Sequence, residues 1–190
     1  MVAESSEAHR SEFMLDVIAD TPNGERVVHC LQCGSCGGSC PNGAEMQYTP
    51  RAVFAMMAAN ERDMVLKANT MWCCVSCYLC TVRCPQEIPI TELMYALKRM
   101  AIREGKAKDS DAPALAKTFT DLVEKYGRAF EFGIATRYLL FNKPTSLFKM
   151  SGMGLSMFSK GRLSLVPTRI RQVDQLRAII KKAREIGKRN

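Results

Sequence analysis

Apolar positions recur every three to four residues along most of the chain, and no stretch alternates with the period of two that a half-buried strand needs. The pattern predicts a mostly α protein. Over residues 5–20, Ser5 and Ser6 are candidate caps, and Phe13, Met14, Val17 and Ile18 share one stripe. "TPNG" at 21–24 reads as a turn. "TPRAVFAMMAAN" predicts a helix with Thr49 as N-cap, Pro50 at the first helical position, and Val53, Phe54 and Met57 on its apolar face. A shorter helix is expected over "RDMVLKAN". The next, "ITELMYALKRMAIREG", has Thr91 as its expected cap, repeats Leu93, Leu97, Met100 and Ala101 at helical spacing, and stops at Gly105. The polar "KAKDSDAP" at 106–113 is the best internal boundary. Beyond it the pattern predicts a helix near 114–126 and a looser segment at 130–161. A last helix is expected over 168–187, with Ile170, Val173, Leu176, Ile179, Ile180 and Ala183 on one stripe. The expected organisation is an N-terminal helix and turn (1–24), a central domain (25–105) and a helical C-terminal extension (106–190).

Charge sharpens that division. Residues 1–104 carry 9 Lys/Arg against 12 Asp/Glu, whereas residues 105–190 carry 18 against 7. The basic end raises the question of nucleic acid, but no helix-turn-helix, RNP-like or finger grammar accompanies it. A solvated helix face or an acidic partner surface accounts for it as well. "SLFKMSGMGLSMFSKGR" is rich in Phe and Met, and a protein partner is favoured over peripheral contact with a membrane surface. Apolar stretches such as "YLLF" are far short of the roughly 20 residues of a spanning helix. The polar start "MVAESSEAHRSE" lacks a signal-peptide core, so a cytoplasmic location is expected.

The chemistry lies in the cysteines. Eight of nine fall in two runs, "CLQCGSCGGSCP" and "CVSCYLCTVRCP", each with gaps of two, two and three residues and a closing proline. Three thiolates at two-residue gaps can wrap a [4Fe–4S] cube about 5–6 Å across, and the fourth is carried away from that loop. In two-cluster ferredoxins this fourth cysteine ligates the other cluster. The expected ligand sets are therefore Cys30, Cys33, Cys36 and Cys84 for one cluster, and Cys74, Cys77, Cys80 and Cys40 for the second. Cross-ligation of this kind brings the centres to about 10–12 Å, close enough for fast electron exchange. Gly34, Gly37, Gly38 and Gly43 let backbone approach a cluster, and Pro41 and Pro85 turn the chain out of each loop. Zinc sites could also use eight cysteines, but they favour pairs separated by a longer spacer. A disulfide framework fits poorly with an odd count and a reducing compartment. Cys73 is spare, and His29 beside Cys30 reads as an ordinary histidine. Trp72 and Tyr78 read as shields for a cluster.

"HCLQCGSCGGSCPNGAEMQYTPRAVFAMM" and "VLKANTMWCCVSCYLCTVRCPQEIPITELMYALK" resemble the C subunits of heterodisulfide reductases (the HdrC-type iron–sulfur family) over residues 25–104. The resemblance rests on Pro50-Arg51, Trp72, Pro89 and "MYALK" at 94–98 besides the cysteines. It implies an α-helical ferredoxin with two [4Fe–4S] clusters, held by the eight cysteines named above. It implies an electron relay without catalytic residues of its own, between a flavoprotein subunit and a CCG-domain catalytic subunit that acts on disulfide or other sulfur substrates. "GSCPNGAEMQYTPR" resembles the bacterial, sulfur-metabolising branch more than the methanogen one. The alternatives are an iron–sulfur subunit of a quinone-linked oxidoreductase and a stand-alone ferredoxin-like carrier. Succinate dehydrogenase-type iron–sulfur subunits share the helical fold but usually add a [2Fe–2S] domain, for which residues 1–29 show no motif.

Overall fold

The structure, a computed structural model, describes residues 11–107, 111–142, 152, 154–161, 164 and 166–187. The chain divides into two compact units, Met1–Ser110 and Asp111–Asn190.

The first unit opens with α1 (Glu12–Ala19). Its cap is Ser11, whose backbone is extended and whose hydroxyl accepts from the Met14 N–H at 3.1 Å. Ser5 and Ser6 lie outside the described residues. A 3₁₀ helix (Gly24–His29) leads into the first cysteine run, where the sequence pattern shows no helical period. The runs contain two single-turn helices, α2 (Ser35–Gly38) and α5 (Leu79–Val82). Between them lie α3 (Pro50–Ala58) and α4 (Arg62–Lys67). The Thr49 hydroxyl caps α3 by accepting from Ala52 N–H at 3.4 Å, with Pro50 at the position that needs no N–H.

The central element is α6 (Ile90–Arg103). It begins one residue before the expected cap: Pro89 is the N-cap, and Thr91 is buried in the first turn. The orphan N–H of Thr91 instead donates to the Thr81 hydroxyl at 3.3 Å, so the cap comes from the second cysteine run. At its far end Gly105 takes φ +65°, and N–H groups of Gly105 and Lys106 return to Ile102 and Ala101 carbonyls. This pairing closes the helix with a Schellman motif, which needs a residue at ease in the left-handed region.

α6 packs against α1, α4 and α5, and α2 packs against both α3 and α5. Phe13, Val17, Phe54, Met57, Leu66, Leu93 and Leu97 are at most 2% exposed and fill the space between them. Each such side chain contributes about 1.5–3 kcal/mol by leaving water. At the edge of this core Arg62 donates to Asp16 and Glu104, both at 2.6 Å, and lies 5.2 Å from the Phe13 ring centroid. One side chain thereby ties α1, α4 and the end of α6. The N-terminal helix is thus part of the cysteine-bearing core.

In the second unit, α7 (Ala112–Tyr126) pairs with α8 (Glu131–Asn142) and α9 (Val173–Gly187). The looser segment expected at 130–161 therefore contains a regular helix at its start, and residues 154–159 are helical too. The last helix starts at Val173, five residues later than its stripe suggests. Ile170 precedes it, donates its N–H to Tyr126 O at 3.1 Å, and packs over Gly127. A Cβ on Gly127 would meet Ile170 at 2.2 Å, and its φ of +81° also favours glycine. Arg177 closes the end of α7 by donating to the Glu124 and Lys125 carbonyls at 3.0 and 3.2 Å. Val173 is buried while Ile179 is 66% exposed, so the stripe is covered at one end only. There is no strand among the described residues.

Candidate metal centre

The two cysteine runs repeat in backbone as well as in spelling, at an offset of 44 residues. Gln32 and Ser76, the residues before each second cysteine, have φ of 55° and 58°. Gly34 and Tyr78, directly after it, have φ of 82° and 61°. The turn that follows is α2 in one run and α5 in the other. Its hydrogen bonds recur in order. Gly38 and Val82 N–H groups donate to Gly34 and Tyr78 carbonyls, Ser39 and Arg83 to Ser35 and Leu79, and Cys40 and Cys84 to Gly37 and Thr81. The last pair, Gly43 and Glu87, donates to the carbonyls of Cys40 and Cys84. Two alternating left-handed residues curl each three-cysteine loop and aim its thiols inward. Tyr78 does so without the freedom of glycine, at a cost of roughly 1–2 kcal/mol.

Contact between α2 and α5 brings the loops together. One cavity is lined by Cys30, Cys33 and Cys36 of the first run together with Cys84 of the second. The other is lined by Cys74, Cys77 and Cys80 together with Cys40. Ile90, at the start of α6, is the one described residue that lines both. None of the nine cysteines is paired in a disulfide. Among the described residues, no three His, Cys, Asp or Glu side chains are arranged to hold a single metal ion. Each cavity thus has four cysteine thiols in its lining, and an all-thiol donor set drawn from loops with two-residue gaps suits a four-iron cluster.

The electrostatics of the thiols follow their surroundings. Burial pushes Cys30, Cys36 and Cys80 above the ordinary thiol range, with neighbouring thiols adding to the effect. Cys33 is exposed and shifts down, chiefly because it hydrogen-bonds the Ser35 hydroxyl 3.4 Å away. Two cations stand by. Arg51 lines the first cavity, and Lys98 donates to the Cys74 carbonyl at 3.2 Å beside the second. The spare thiol, Cys73, lines neither cavity; it faces the Glu45 carbonyl at 3.7 Å, and burial raises its pKa. His29 is exposed at the end of the 3₁₀ helix. Tyr78 lines the second cavity and donates its hydroxyl to Glu92 at 3.0 Å.

Residues 26–88 match the family model described as a 4Fe-4S dicluster domain. This segment is a 4Fe-4S dicluster domain. The same part of the chain is homologous to C subunits of heterodisulfide reductases. Over 95 residues it is 39% identical to the C subunit of the ferredoxin:CoB-CoM heterodisulfide reductase of Methanosarcina mazei, covering 50% of this chain and 57% of that protein. It is 40% identical over 79 residues to the C subunit of the ferredoxin/F420H2-dependent CoB-CoM heterodisulfide reductase of Methanosarcina acetivorans, covering 42% and 48%. The iron–sulfur C subunit of the CoB–CoM heterodisulfide reductase of Methanopyrus kandleri is 36% identical over 79 residues, covering 42% and 41%. The chain spans about half the length of the curated relatives it matches. No helix among the described residues is long and apolar enough to cross a membrane.

The wall residue Ile90 and the left-handed residues Gln32, Ser76 and Tyr78 escape a reading of the sequence alone. Ile90 carries only a core signal. A left-handed residue that is not glycine has no compositional mark, although Gly34 in the twin position is a clue to Tyr78.

Proposed function

We propose that the chain is the iron–sulfur relay subunit of a heterodisulfide reductase-type complex, passing electrons through two [4Fe–4S] clusters. Cys30, Cys33, Cys36 and Cys84 hold one cluster; Cys74, Cys77, Cys80 and Cys40 hold the other. The observation that carries this reading is that each cavity is lined by three thiols of one run and the last thiol of the other. Such clusters supply one-electron storage without proton or atom transfer. The chain's own residues do the rest. The two curled loops fix the thiolates, Ile90 keeps apolar wall between the cavities, and Arg51 and Lys98 offset negative charge. Disulfide or other sulfur chemistry then falls to a CCG-domain catalytic subunit, with electrons supplied by a flavoprotein subunit. The relatives, C subunits of such reductases, support membership of a complex. A cytoplasmic site of action fits this reading.

Anaerobic purification of the tagged chain from its own host tests it. About 8 Fe per chain, a coupled two-cluster EPR signal on reduction, and co-elution of a CCG protein and a flavoprotein are the expected results. Two zinc ions and no iron, or an iron-loaded chain that elutes alone, would overturn the cluster and the complex readings respectively.

A further inference from the structure

The twin loops share a backbone but differ in the polar groups they turn toward sulfur. In the first loop the Gln32 amide lies 3.5 Å from Cys30 Sγ, and the Ser35 hydroxyl lies 3.4 Å from Cys33 Sγ. At the twin positions, 44 residues on, stand Ser76 and Leu79. Ser76 has a hydroxyl but spends it on Tyr95, with the two oxygens 2.5 Å apart. Leu79 has no donor at all. In the second loop both threonine hydroxyls fall on one thiol: Thr91 Oγ1 lies 3.9 Å from Cys80 Sγ, and Thr81, 3.3 Å from Thr91, also hydrogen-bonds Cys80. This leaves Cys74 and Cys77 without such a side-chain partner among the described residues.

Donors directed at cluster sulfur favour the form with the extra electron, because that form carries more negative charge on its sulfurs. We infer that Gln32 and Ser35 set the first-run cluster at a higher reduction potential than the second-run cluster, so that an electron given to the chain rests at the first site. This ordering rests on the two-cluster reading above. It gives the relay a built-in direction, from the second run toward the first. The tuning residues act through the thiolates and are positioning residues.

The test is an anaerobic redox titration of the full iron-loaded chain with a dithionite-type reductant, read by EPR. Ser35→Ala is expected to lower the higher of the two midpoints and leave the lower in place. One neutral hydrogen bond changes the equilibrium by up to about tenfold, or ~59 mV for a one-electron couple. Leu79→Ser, which installs the missing hydroxyl in the twin loop, is expected to raise the lower midpoint. If Ser35→Ala moves the lower midpoint, or moves neither while iron stays at the wild-type level, the ordering is overturned. A wild-type chain that takes up fewer than two clusters overturns the two-cluster reading itself, and the iron count separates that failure from the other.

Discussion

Replacing Ile90 by alanine truncates the one described residue that lines both thiol-lined cavities. The side chain is 1% exposed, opens α6, and lines both cavities. Losing three carbons forfeits about 2.4 kcal/mol of transfer free energy at ~0.8 kcal/mol each. A void of roughly 75 Å³, left uncollapsed, adds about 1.8 kcal/mol at ~24 cal/mol per Å³. The total of about 4 kcal/mol lies near the top of the range for such a truncation. With a urea slope of about 2 kcal/mol/M, the unfolding midpoint falls by about 2 M. On the two-cluster proposal, the void opens toward both cavities, water gains access to both clusters, and both potentials shift together. Anaerobic urea titration of the iron-loaded chain, followed by its visible absorbance, reads the first effect, and EPR redox titration reads the second. Ile90→Val, expected to cost about 0.5–1.5 kcal/mol, is the control. The reasoning is refuted if the alanine variant unfolds with the valine variant, or if only one potential moves.

Three further outcomes are expected. Gly34→Ala puts a Cβ into open space, with nothing nearer than Arg51 at 3.8 Å, so its cost is the left-handed backbone alone. Urea midpoints should report about 1–2 kcal/mol, with iron content unchanged because Tyr78 tolerates the same conformation in the twin loop; loss of iron would contradict this. Hydrogen bonding from Arg62, aided by Lys106, holds the Glu104 carboxyl below its usual range. A carboxylate lowered in the fold stabilises at neutral pH, and that contribution fades as pH falls below about 4.5 toward the folded value. Glu104→Gln should flatten this acid limb in a pH series of urea midpoints while costing about 1 kcal/mol or less at pH 7, since the pair is partly solvated; an unchanged limb counts against it. In the second unit, Arg177→Ala frees the carbonyls of Glu124 and Lys125. Amide exchange at the end of α7 should quicken by up to about tenfold, and unchanged exchange there would remove Arg177 as its closure.

The helices of the first unit are legible in the sequence because their apolar faces are regular and their punctuation is explicit. Thr49-Pro50 starts α3 and Gly105 ends α6, as their types demand. The start of α6 is not, because a tertiary partner, Thr81, supplies the hydrogen bond that a local cap normally provides. The last helix starts later than its pattern suggests for a similar reason: Ile170 fits the stripe but is held over the end of α7. Cysteine spacing makes the grouping of three plus one legible, since it depends on a general rule of two-cluster proteins. The asymmetry between the loops is hidden. It depends on Ser76 turning to Tyr95, which brings together residues 19 apart in the chain.

The central claim is that neither run is a self-contained site, and single-cysteine variants test it most directly. Cys33→Ala and Cys77→Ala mark the spectra of chains lacking the first and the second cluster. The EPR spectrum of Cys84→Ala should match that of Cys33→Ala, and that of Cys40→Ala should match Cys77→Ala. If Cys84→Ala instead reproduces Cys77→Ala, each run ligates its own cluster and the interlocked arrangement is wrong.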